Sequence, residues 1–135
     1  MAVRLTPYIS FDGNAREALE RYRSVLGGTL GITTFAEMGE TGEARDKVMH
    51  GMLETEAGLT LMGADTPPGE RFDTGSRISV TLSGDDGDDL RRWFDALAEG
   101  GTVAVPMGMQ PWGDEFGMCT DRFGVVWMVN ITKAG

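Results

Sequence analysis

Chemistry near neutral pH starts with His50, the only histidine in the chain. An imidazole can take or give a proton, or hold a metal through one ring nitrogen. His50 lies mid-strand in VMHGML, on the face shared by Val48 and Met52. There a hydrogen-bonded structural role competes with a role as general base or ligand contact. Cys119 is the only thiol, and no histidine stands near it in sequence to activate it. Tyr8 falls on the polar face of an alternating segment and can present its hydroxyl to a ligand. Trp112 lies in QPWGDEFG, where an indole either stacks on a ligand or packs as structure. Met52, Met62, Met118 and Met128 recur at matched places. They read as gap-filling core or as a soft, apolar floor for a hydrophobic or aromatic ligand.

Sharper catalytic signatures are missing. The chain holds no H-E-x-x-H, no C-x-x-C and no phosphate-cradling G-x-x-x-x-G-K-[ST]. His50, Asp65 and Glu37 could meet as an improvised metal site, but spacing gives them no geometry. Asp121 and Arg122 sit in TDRFG and read as a hairpin turn.

These residues need elements to hold them. Val3, Leu5, Ile9 and Phe11 alternate with Arg4, Thr6, Tyr8 and Ser10, the pattern of a half-buried strand. Asn14 with Glu17 three residues on marks a helix start. Ala15, Ala18, Leu19, Tyr22, Val25 and Leu26 follow at helical spacing, and Gly27-Gly28 stops the run. Residues 29–36, 47–54 and 59–64 read as strands, with a loop over 38–46. Residues 65–75, with Pro67-Pro68 and two glycines, read as a linker. The pattern then restarts. Ile78, Val80 and Leu82 alternate, and four aspartates (Asp85, Asp86, Asp88, Asp89) crowd a helix start. Leu90, Trp93, Phe94 and Leu97 form that helix's apolar face before Gly100-Gly101. Strands follow over 103–105, 116–120 and 125–131, with Trp127 in the core.

The two halves share one order of elements. GMLETEAGLTLM lies over GMCTDRFGVVWM with a constant offset of 66 positions (51 to 117), and Gly, Met, Gly and Met coincide. The chain thus reads as an α+β protein of two tandem βαβββ modules. Module 1 spans 3–65, the linker 66–75 and module 2 76–132, within one domain covering 1–135. Placed side by side, the modules would make a curved mixed sheet, with helices outside and a ligand cleft inside.

Composition narrows the class. With 41% hydrophobic and 24% charged residues, the chain can bury a core and is not disordered. A net charge of −9 disfavours nucleic acid and anionic membranes as partners. One cysteine allows no internal disulfide, and MAVRLTPYIS lacks an apolar leader core, so a cytoplasmic location is expected.

PYISFDGNAREALERYRSVLGG, VMHGML and WGDEFGMCTDRFGVVWMVN together resemble the PhnB-like branch of the glyoxalase/bleomycin resistance/dioxygenase (vicinal oxygen chelate) superfamily. The resemblance runs from Leu5 to Asn130. It implies paired βαβββ modules and a homodimer, but no single reaction, since members include isomerases, dioxygenases, transferases and proteins that only sequester antibiotics. In the enzymes it implies a divalent metal held by His, Glu or Gln from the first and last strands of each module. Those positions fall near Pro7, Ser79, Met62 and Met128. The windows 4–10, 77–83, 60–64 and 126–130 contain no His, Glu, Asp or Gln, and only Asn130 offers a weak oxygen donor.

The expectation is therefore a homodimer that binds a small, partly apolar molecule with no metal and no cofactor. Tyr8, His50, Met62, Trp112 and Met128 are its candidate ligand-binding residues. Two alternatives stand beside it: a metal-dependent or His50-dependent glyoxalase- or dioxygenase-type enzyme, with His50 as the catalytic residue, and a structural or partner-binding dimer.

Overall fold

The computed structural model describes residues 5–67, 69–70, 72 and 78–132. Val3 and Arg4 at the start of module 1, residues 76–77 at the start of module 2, and residues 68, 71 and 73–75 of the linker lie outside the described residues. The chain divides into two compact units, 1–74 and 75–135.

Unit 1 runs β1 (Tyr8–Phe11), α1 (Ala15–Leu26), β2 (Thr29–Thr34), a short 3-10 turn (Ala36–Met38), β3 (Val48–Glu54) and β4 (Thr60–Asp65). Its four strands lie in the order β1-β4-β3-β2, with β1 parallel to β4 and the other pairs antiparallel. Unit 2 repeats the plan with β5 (Val80–Gly84), α2 (Gly87–Ala98), β6 (Thr102–Met109), β7 (Glu115–Thr120) and β8 (Val126–Ile131). Its order is β5-β8-β7-β6, again with one parallel pair. Each unit is thus a βαβββ module with a four-stranded mixed sheet, the α+β plan expected from the sequence.

The register makes the repeat physical. Gly51 faces Gly63, Met52 faces Met62 and Leu53 faces Leu61, while Gly117 faces Val129, Met118 faces Met128 and Cys119 faces Trp127. The match continues past the aligned hairpins. Thr66 donates both its N–H and its hydroxyl to the Phe11 carbonyl, at 2.8 and 3.0 Å. Thr132 does the same to the Gly84 carbonyl, at 2.8 and 3.2 Å.

Alternation places one row of each sheet against its helix. In unit 1 that row includes Phe11, Val48, Leu53 and Leu61, buried with Ala15, Ala18, Leu19 and Tyr22 of α1. In unit 2 it includes Leu82, Cys119, Trp127, Val129 and Ile131, with Leu90, Phe94 and Leu97 of α2. Glycine lets helix and sheet close up. A Cβ on Gly51 would stand 2.4 Å from a Leu19 methyl, and one on Gly117 would stand 2.9 Å from the Phe94 ring.

Four local expectations are corrected. Leu5, assigned to a buried strand face, is fully exposed, because β1 starts only at Tyr8; Ile78 at the matching place is exposed too. Trp93 is only half-buried, because Leu90, Phe94 and Leu97 occupy the inner stripe of α2. Strand β6 extends through Pro106, which stands on an edge strand within a register shift between Val105 and Gly108, where its missing N–H is tolerated. Asn14 sits at the start of α1, but its side chain makes no capping bond. Asp65, at the end of β4, does that work: one oxygen accepts from Ala15 N (3.0 Å) and the other from Val48 N (2.9 Å). Helix α2 is capped locally, Asp86 accepting from Asp89 N at 3.2 Å.

Unit 2 has its own buried carboxylate. Asp121 accepts from the N–H groups of Phe123 (2.9 Å) and Val125 (3.0 Å) and from the Trp127 indole (2.9 Å). It therefore shapes the β7–β8 turn and fixes the core tryptophan. Thr55 stands at the matching turn of unit 1, where its hydroxyl accepts from Leu59 N at 3.1 Å. Arg122 points elsewhere, donating to the Glu99 carbonyl.

Burial, and secondarily Asp121, push the Cys119 thiol up to about 11. A thiol normally near 8.5 thus loses most of its thiolate at neutral pH. Iodoacetamide should leave native protein unlabelled at pH 8 and label it only as it unfolds. Stability should also fall as pH rises from about 9 toward 11, since the unfolded thiol ionises first and pulls the equilibrium toward the open chain. Fast labelling of native protein would contradict this.

Candidate functional site

The face of each sheet turned away from its helix carries most of the candidate residues. In unit 1, β1 and β4 pair so that Tyr8 lies beside Met62, and Met62 lies beside Met52. His50 joins them by regular alternation from Met52, and an irregularity in β3 follows on its other side. Thr33 pairs with His50 but Thr34 with Val48, so one residue is skipped. The shift sends Val48 to the helix side, where it is fully buried, and leaves His50 partly open. This corrects the shared face read from simple alternation.

The Tyr8 and His50 rings reach toward each other across β4. Their centroids are 5.8 Å apart, and the Tyr8 hydroxyl lies 3.5 Å from His50 Nδ1, a long and weak hydrogen bond. Beside Tyr8 opens a cavity of about 330 Å³, lined among others by Ser10, Phe35, Met49 and Glu70, with Asp65 also on its wall. The structure thus brings Tyr8, His50 and Met62 onto one surface. Sequence reasoning missed Phe35 and Met49. Phe35 lay at the end of an expected strand, and its outward place depends on the 3-10 turn that follows. Met49 is turned outward by the irregularity in β3.

In unit 2 the matching surface carries Thr81, Met118 and Met128, each beside the next in register. Phe116 pairs with Asn130 next along the ladder. Trp112 packs edge-on against Phe116, with centroids 5.8 Å apart and planes at 67°, and is 60% exposed. Asn130 donates to Asp114 at 3.0 Å, so its amide is already engaged with a carboxylate that the sequence did not single out.

The register also places the family's metal positions. The side chains beside Met62 and Met128 are Tyr8 and Thr81, one residue on from the expected Pro7 and two on from the expected Ser79. A phenol, an alcohol and two thioethers do not suit zinc, iron, nickel or manganese, which want imidazole and carboxylate here. The improvised set does not assemble either. Asp65 is engaged by Ala15 and Val48, and Glu37 accepts from Thr34 N at 2.7 Å and from the Thr34 hydroxyl at 3.2 Å. Among the described residues no three His, Cys, Asp or Glu side chains gather to hold an ion. The family's metal therefore does not fit these side chains.

Among the described residues no helix is long and apolar enough to cross a membrane. Comparison with known proteins agrees with the fold. The chain is 30% identical to protein YjdN of Escherichia coli K12, over 96% of this chain and 95% of that one. Protein PA1353 of Pseudomonas aeruginosa has a crystal structure that superposes with a TM-score of 0.89 at 40% identity, over 98% and 100% of the two chains. A Bacillus cereus structure described as a putative 3-demethylubiquinone-9 3-methyltransferase, PhnB protein, shares the fold with a TM-score of 0.75 at 22% identity, over 96% and 100%. The model of the Glyoxalase/Bleomycin resistance protein/Dioxygenase superfamily matches residues 4–129, and the chain belongs to that superfamily.

Proposed function

We propose that this chain is a PhnB-like binding protein that receives a small, partly apolar organic molecule without the divalent metal of its family's enzymes. One observation carries the reading: Tyr8–Met62 and Thr81–Met128 stand as neighbours where metal-holding pairs would be needed. Thioethers and aromatic rings make a polarizable surface suited to apolar or aromatic groups, and Trp112 over Phe116 adds a stacking edge. We place the protein in the cytoplasm as a homodimer, with no nucleic-acid or membrane partner. Its charge of −9 supports the last point.

The test is elemental. Protein purified without chelator should carry less than about one-tenth of a metal ion per chain, because sites that bind tightly retain their ion through purification. Stoichiometric zinc, nickel, iron or manganese would overturn the reading. A thermal-shift screen of aromatic and aliphatic molecules should then find compounds that raise the melting temperature, since a ligand of the native state stabilises it.

The Tyr8–His50 approach supports a second reading, in which His50 transfers a proton during catalysis. There His50→Ala would abolish turnover while keeping the fold, and unchanged turnover would remove it. A dimer that only binds partners would instead show no ligand-induced stabilisation at all.

A further inference from the structure

The cavity beside Tyr8 has a definite chemical character. Two aromatic side chains, Tyr8 and Phe35, line it with the thioether of Met49. Two carboxylate residues, Asp65 and Glu70, stand on its polar wall with the hydroxyl residues Ser10 and Thr66. No lysine or arginine lines it among the described residues. The nearest lysine in sequence, Lys47, belongs to a different cavity and donates to the Gly13 carbonyl at 3.0 Å. At about 330 Å³ the space holds a small molecule, not a peptide or a polymer.

An aromatic face attracts a cation through the negative centre of its ring, and a methyl thioether offers a polarizable wall to alkylated nitrogen. Carboxylates favour the same charge. An anion would meet two carboxylates with no basic side chain among the described lining residues to offset them. A neutral apolar molecule would gain from the rings but leave the carboxylates without a partner.

We infer that the Tyr8–Phe35–Met49–Glu70 cavity of unit 1 receives a small alkylated organic cation, of the quaternary or tertiary ammonium class. This deepens the binding reading above and rests on it. Glu70 supplies charge from an exposed position, while Tyr8 and Phe35 supply the aromatic wall. Asp65 contributes from the wall, but its oxygens are engaged by backbone N–H groups, so it is not the direct partner.

The experiment is calorimetric titration of the full chain with choline, with tetramethylammonium, and with 3,3-dimethylbutan-1-ol as an uncharged isostere of choline. Choline should bind at least about ten-fold more tightly than the alcohol. Phe35→Leu and Glu70→Gln, each checked for native circular dichroism, should each weaken choline binding by about five-fold or more. The inference is overturned if the alcohol matches choline, if both variants bind choline like the parent, or if neither cation binds at concentrations up to about 50 mM. Should uncharged aromatic compounds still stabilise the chain while neither cation binds, the cation assignment falls and the broader binding reading stands.

Discussion

Asp65→Ala is expected to lower the stability of unit 1 by about 3–5 kcal/mol, read as a fall in the urea midpoint. The carboxylate satisfies two backbone donors at once, Ala15 N at the start of α1 and Val48 N at the start of β3. Both residues are fully buried, so neither N–H finds water when the acceptor is removed. Hydrogen bonds to a charged acceptor are worth about 1.5–3 kcal/mol each, and an abandoned buried donor adds its desolvation cost. Asp65→Asn keeps one acceptor oxygen and sets an NH2 against the other donor, so it should fall between Ala and the parent. Asn14→Ala, by contrast, should change little, because that side chain makes no capping bond. A midpoint for Asp65→Ala within about 1 kcal/mol of the parent would show that other groups take over both donors.

Gly101→Ala is the second large effect. A Cβ there would lie 2.0 Å from the Thr120 carbonyl oxygen and 2.9 Å from two Asp121 backbone atoms. Backbone cannot swing aside as a side-chain end can, so the pairing of Thr102 with Thr120 must open. Gly28 repeats the arrangement in unit 1, its Cβ position 2.2 Å from the Glu54 carbonyl oxygen, beside the Thr29–Glu54 pair. Each alanine substitution should cost about 3 kcal/mol or more, a large share of a typical domain's 5–15 kcal/mol. Gly31→Ala is the control. It lies in β2 with nothing within 4 Å of its Cβ position, so the change should be near neutral. Native-like melting of both Gly28→Ala and Gly101→Ala would show that the strands can shift to admit a methyl group.

These glycines show where the sequence stops being informative. Gly27-Gly28 and Gly100-Gly101 are visible as helix stops because they follow two apolar helical stripes. Their second duty, letting a strand start pass close to a neighbouring backbone, depends on atoms far along the chain and leaves no local mark. The same division holds across the fold. The βαβββ order and the equivalence of Met52 with Met118 and of Met62 with Met128 follow from periodicity and the 66-position repeat, whereas the pairing of Met52 with Met62 and of Met118 with Met128 needed the register. The capping role of Asp65 could not be read, since an acceptor 50 residues from Ala15 has no signature beside a plausible Asn14 cap.

The candidate site was legible to a similar depth. Tyr8 was read onto the polar face of its strand and is exposed, while Met62 was left open between core and cleft floor and is half-buried; their adjacency needed the parallel register of β1 with β4. Parity misplaced Val48, not His50: alternation fails where one residue is skipped between them, so Val48 turns to the helix side while His50 stays with Met52. Phe35 and Met49 were missed because each owes its outward position to an irregularity: a 3-10 turn after β2 and the shift in β3. Irregular backbone re-aims side chains, and it often lies beside functional surfaces.

The two helix starts imply different orders of assembly. Helix α2 carries its own cap three residues from the N–H that needs it, so its first turn can form from local chain alone. Helix α1 borrows its acceptor from the last residue of β4, so its first turn matures only once the chain has looped back through three strands. Two copies of one architecture can therefore reach it by a local route in one half and a long-range route in the other.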